Sequence, residues 1–67
     1  MRQPVQQLIE RYQNSLYAAA FNTCQNQMDA EDVVQETFVQ YYTSRKEFEN
    51  EQHIRAWLLR VVINKAR

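Results

Sequence analysis

Apolar residues recur along this chain at three- and four-residue steps almost from its start. Val5, Leu8, Ile9, Tyr12, Leu16, Ala19, Ala20 and Phe21 draw one stripe, as an amphipathic helix requires. The spacing predicts a helix over about residues 4–23, with Pro4 at an allowed first-turn position. Polar residues from Asn22 to Met28 interrupt the stripe and read as a short connection. A second helix is predicted over about 29–44. Asp29 can cap its free backbone N–H groups, and Glu31 and Asp32 suit the positive end of its dipole. At 100° per residue, Ala30, Val33, Val34, Thr37, Phe38 and Tyr41 fall on one side, to pack on the first helix. Asp32, Gln35, Glu36, Val39 and Thr43 fall on the other. A mostly charged stretch, Ser44 to Gln52, contains one aromatic, Phe48, and a third helix is predicted over about 53–67. There Leu58, Val61, Val62 and Lys65 share one side, and Leu59, Ile63 and Ala66 widen the apolar surface. His53, Trp57, Arg60, Asn64 and Arg67 lie within about 80° of one another on a different side.

Composition supports the helical reading. The 67 residues include no glycine and one proline, and none of the dipeptides that tight hairpins favour is present. A chain this short buries only roughly 60% of its unfolded surface, so one small core of marginal stability is expected. The fold class is therefore all-α, a compact three-helix bundle with room for a short fourth turn in the last connection. Cys24 is the sole cysteine, which excludes an internal disulfide, and its apolar setting favours a buried spacer over a reactive thiol. The Met1-Arg2-Gln3-Pro4 start lacks the apolar run of a signal peptide, and no stretch is apolar enough to span a bilayer. A soluble, cytoplasmic protein that binds no membrane is the expectation. No stop signal precedes Arg67, so the chain reads as a piece of a longer protein.

The formal net charge is zero, but it sums two unlike segments. Asp29, Glu31, Asp32, Glu36, Glu47, Glu49 and Glu51 face only Arg45 and Lys46 across residues 29–51, whereas Arg55, Arg60, Lys65 and Arg67 stand in 52–67 without an acid. Surfaces of opposite sign suit two different partners or one internal dipole. The stripe on the third helix is suited to nucleic acid: guanidinium groups pair with phosphates, indole stacks on an exposed base, and asparagine can read a base edge. Trp57 fits a core position equally well, and Arg60 and Arg67 fit ordinary solvated sites. His53 suits a surface or capping role. Asp32, Gln35, Glu36 and Val39 could dock a basic partner helix or simply face water. Phe48 could plug the end of the core, or its loop could rim a flipped-out base. One histidine, one distant cysteine, no glycine-rich phosphate loop and no metal-ligand spacing leave nothing for catalysis, a metal or a cofactor. The chain is not expected to be an enzyme.

Two blocks carry a more specific signal. Asp29-Ala30-Glu31-Asp32-Val33-Val34-Gln35-Glu36-Thr37-Phe38, then Phe48, then the Arg55-Ala56-Trp57-Leu58-Leu59-Arg60-Val61-Val62-Ile63-Asn64-Lys65-Ala66-Arg67 run, resemble region 2 of the bacterial sigma-70 family in its compact extracytoplasmic-function (ECF) form. The resemblance covers nearly the whole chain and is weakest in the first helix. It implies that Asp32, Gln35 and Glu36, with Val39 a turn further, dock on the β′ clamp helices of core RNA polymerase. It also implies that the loop from Phe48 through Asn50 to Gln52 and the last helix take the unwound non-template strand of the promoter −10 element. On that helix the residues would be His53, Trp57, Arg60, Asn64, Lys65 and Arg67. An anti-sigma factor is a further partner the family allows.

Two departures qualify it. Glu49 and Asn50 stand where family members often carry a small basic pair such as Arg-Gly, and Glu49 and Glu51 would repel phosphate. The loop then suits a base more than a phosphate clamp. The third helix also lacks extra aromatics that housekeeping relatives use in strand opening, so melting should be less forgiving of promoter sequence. The family's second DNA-binding part, region 4, is absent from this chain. The expectation is thus one sigma region 2 domain over 1–67, which docks on polymerase and recognises and melts the −10 element. A helical adaptor without DNA binding is the alternative.

Overall fold

The computed structural model describes residues 3–67, which leaves Met1 and Arg2 of the amino-terminal reading outside the described part. The first stripe becomes α1, Val5–Cys24, entered from Pro4. It ends where Gln25 takes a left-handed conformation (φ 55°, ψ 35°) and its N–H reaches back to the carbonyl of Phe21. That position usually holds glycine, which this chain lacks. The connection is therefore much shorter than the polar run from Asn22 to Met28 suggests.

The second helix, α2, spans Gln27–Thr43, and its cap is Asn26 rather than Asp29. The Asn26 side chain accepts the N–H of Asp29 at 3.0 Å. Asp29 itself lies in the first turn, where its charge meets the dipole. The same construction opens α3, Glu51–Ala66: Asn50 caps it and accepts the N–H of His53 at 2.9 Å. No further helical turn intervenes between Thr43 and Glu51.

The three helices each pack on both others. Leu8, Leu16 and Ala20 of α1 meet Ala30, Val34, Phe38 and Tyr41 of α2 and Ile54, Leu58, Val62 and Ala66 of α3. The α3 contribution repeats every four residues, so the core seam runs down one side of that helix and leaves the opposite side to solvent. Thr37 is the one polar side chain fully buried among the described residues, and its hydroxyl donates to the Val33 carbonyl at 2.8 Å. Phe21, grouped with the apolar stripe by its spacing, lies outside the core and is exposed. No helix among the described residues is long and apolar enough to cross a membrane.

Candidate partner and nucleic-acid interfaces

Two surfaces result. The first is the outer side of α2. Asp32, Gln35, Glu36 and Val39 are all exposed, because the residues between them carry the buried seam. They line one open groove together with Gln40, Thr43 and Lys65. Val39 is 55% exposed, an aliphatic side chain set among polar ones. Gln35 and Val39 also border a second recess, about 680 Å³, between α1 and α2, whose walls include Ile9, Tyr17, Phe38 and Tyr42. The face thus offers acids and amides around an apolar strip. That combination suits a partner with basic side chains on an apolar backing.

The second surface is the start of α3 and the connection before it. Phe48 is 2% exposed and lies in the core, so its ring is not offered to a base. It stacks on Tyr41 at 5.7 Å and meets Trp57 and His53 edge-on at 5.7 and 5.1 Å. The ring thus plugs the core, as one of the two readings of Phe48 expected. Asn50 is likewise engaged as the helix cap. Trp57 is half-buried, edge-on to both Tyr41 and Phe48, so it is partly core and partly surface. His53 holds the connection in place: its Nδ1 accepts the backbone N–H of Glu49 at 3.1 Å. Gln52, Arg60, Asn64 and Arg67 are exposed.

Lys65 keeps the side that its spacing gave it, apart from the Trp57 stripe. It borders the α2 groove beside Asp32 and Glu36, and with Arg67 it lines a neighbouring recess that also includes Asp29. The carboxyl end of α3 therefore belongs to the α2 side. His53 and Trp57 remain in contact with the aromatic cluster, with Gln52, Arg60 and Asn64 exposed on the same helix.

Glu51 departs from its expected setting. Instead of facing a phosphate, its carboxylate turns onto α1. Oε1 accepts from Gln3 Nε2 at 3.1 Å and from Arg11 Nη1, and Oε2 accepts from Tyr12 Oη at 3.0 Å. The hydrogen bonds from Arg11 and Tyr12 hold the Glu51 carboxyl below its usual range. Burial and the Glu51 carboxylate push the Tyr12 phenol up, and the same carboxylate raises Arg11. Nearby, the Tyr41 hydroxyl accepts the Gln3 N–H at 2.9 Å and donates to the Gln3 carbonyl at 2.8 Å. Sequence reasoning passed over Arg11 and Ile54, and gave Tyr12 only an apolar place in the first stripe and Gln3 no role beyond the chain's start. An asparagine followed three residues later by an acid was the available sign of the Asn26 cap. Nothing local marks a contact between residues about forty positions apart.

This geometry describes a three-helix domain with one acidic face around an apolar strip on α2 and one polar stripe that begins beside the aromatic cluster on α3. The sequence profile named Sigma-70 region 2 matches residues 8–67, and the chain belongs to that family. It is 33% identical over 61 residues to the RNA polymerase sigma factor NccH of Alcaligenes xylosoxydans xylosoxydans, covering 91% of this chain and 33% of that protein. It is 37% identical over 60 residues to the ECF RNA polymerase sigma-E factor of Haemophilus influenzae, covering 90% and 31%. It is 38% identical over 61 residues to the RNA polymerase sigma factor CnrH of Cupriavidus metallidurans, covering 91% and 32%. The ECF likeness drawn from the two sequence blocks agrees with these relatives. The chain spans about one third of the length of each of them. No solved structure matches it.

Proposed function

We propose that this chain acts as region 2 of an alternative RNA polymerase sigma factor, joining core polymerase to the unwound −10 element. The observation that carries the reading is the separation of two built faces on one small bundle. Asp32, Gln35, Glu36 and Val39 share a groove on α2, while Trp57 stands half-buried on the aromatic cluster beneath the start of α3. The α2 face would dock the β′ clamp helices. Acids and an exposed valine suit a basic helix with an apolar stripe, and Lys65 at the groove's edge gives that docking register. The α3 stripe would take single-stranded DNA: Trp57 stacks on an unpaired base, Asn64 reads an edge, and Arg60 meets a phosphate.

The mechanism is capture rather than chemistry. A base leaves the stack at a cost of a few kcal/mol, and the domain offsets part of that cost while polymerase holds the complex together. Few phosphates are neutralised, so the domain alone binds DNA weakly and with a shallow salt dependence. An anti-sigma factor would act by covering one of the two faces.

The test is a binding assay of the sigma chain with the β′ clamp helices, followed by promoter opening in holoenzyme. Asp32→Ala, Gln35→Ala and Glu36→Ala each weaken clamp binding. Trp57→Ala and Asn64→Ala spare it and reduce opening. Undiminished clamp binding in all three α2 variants overturns the docking assignment. Clamp binding without any preference for single-stranded DNA favours an adaptor instead.

A further inference from the structure

We infer that Glu51 is a positioning residue for base capture: by accepting hydrogen bonds from Gln3, Arg11 and Tyr12 it fixes the first turn of α3 beneath the DNA stripe. The inference deepens the region 2 reading and rests on it.

Glu51 follows the cap Asn50 and precedes His53 by two residues, so anchoring its carboxylate to α1 tethers the turn that carries the stripe. Both of its oxygens are engaged, by donors lying 39 to 48 residues away in sequence. The same amino-terminal arm reaches the stripe by a second route. The backbone of Gln3 is paired with the Tyr41 hydroxyl in both directions. The Tyr41 ring stacks on Phe48 and lies 6.2 Å from Trp57. One arm therefore sets the helix start through a carboxylate and the tryptophan through an aromatic ring.

Such an arrangement contributes geometry more than affinity. Arg11 and Glu51 are both substantially exposed, and exposed ion pairs contribute little stability by themselves. A carboxylate with both oxygens occupied, however, keeps one orientation, as a well-supported binding site requires. The pairing also matches the negative charge of Glu51 within the protein. Glu49, two residues earlier, is exposed, and its carboxylate meets no such donor among the described residues.

Two roles for Glu51 then differ in sign. As a bare acid near DNA it would repel phosphate, and its neutralisation would tighten binding. As a positioning residue, its neutralisation loosens binding. The experiment uses holoenzyme assembled from core RNA polymerase and the full sigma chain. The probe is a labelled single-stranded deoxyoligonucleotide, enriched by wild type from a randomised pool, and core binding is measured in parallel. Glu51→Gln and Arg11→Gln each lower capture about five- to tenfold, and Tyr12→Phe about two- to threefold, with core binding unchanged. The Arg11→Gln, Glu51→Gln double variant loses no more than the worse single one, because both remove one contact. Glu49→Gln raises capture.

Capture that holds steady or rises in Glu51→Gln overturns the positioning role, as does a loss of core binding in step with capture. Tyr12→Phe removes a single hydroxyl from a half-buried ring, so it serves if the other variants fold poorly; unchanged capture there also counts against the role. Wild-type holoenzyme that captures no single strand overturns the region 2 reading and this inference with it.

Discussion

The start of α3 and the middle of α2 are both surface, yet they are made in opposite ways. At the start of α3, side chains are tied down on several sides: Glu51 to distant α1, His53 to the neighbouring backbone of Glu49, and Trp57 to Tyr41 and Phe48. In the middle of α2, Asp32, Gln35, Glu36 and Val39 stand exposed around an open groove. The contrast fits the two proposed ligands. A single strand is flexible, so its receptor must supply the order. A clamp of packed helices arrives already ordered, and a solvated face of the right chemistry suffices.

Disrupting the aromatic support should have the greatest consequence. Phe48→Ala removes a fully buried ring and costs about 3–5 kcal/mol, much of the stability of a domain this small. A thermal melt should show the transition lowered by roughly 15 °C or more, or lost. On the α2 side, Asp32→Ala and Glu36→Ala should change stability by no more than about 0.5 kcal/mol. They should nonetheless weaken clamp binding by about tenfold each, as read by titration against the clamp helices. If Asp32→Ala instead lowered the melting transition as Phe48→Ala does, the contrast between the two regions would fail.

The two asparagine caps provide a finer comparison. Asn26→Ala and Asn50→Ala should each cost about 1 kcal/mol by denaturant unfolding. Only Asn50→Ala should also reduce single-strand capture, because only that cap opens the helix bearing the stripe. The smallest effect is one of acidity. Glu51 has a depressed folded-state pKa, so its contribution is present above the usual carboxyl value of 4.5 and is lost as pH falls through the depressed value. Melting curves of wild type and Glu51→Gln should therefore lie apart near neutral pH and converge in acid. Curves separated equally at every pH would show that the carboxylate pairing contributes no pH-dependent stability.

Much of this fold was legible from spacing alone. A repeat of 3.6 residues specifies which side of a helix is apolar, and Ala30, Val34, Thr37, Phe38 and Tyr41 are buried as their periodicity required. The exposed α2 face followed from the same arithmetic. Helix ends were less legible, because Asn26 and Asp29 are both good cap residues and the backbone uses only one.

The amino-acid order thus specified three helices, a buried seam on each and a polar face on α2, since all of these depend on residues within a turn or two of one another. The tertiary structure alone decided that Phe48 is core, that Lys65 sides with α2, and that Glu51 answers Arg11 and Tyr12 rather than phosphate. Those outcomes depend on which helices meet and at what height. Periodicity gives a residue its direction around a helix axis, and only packing supplies what it finds there.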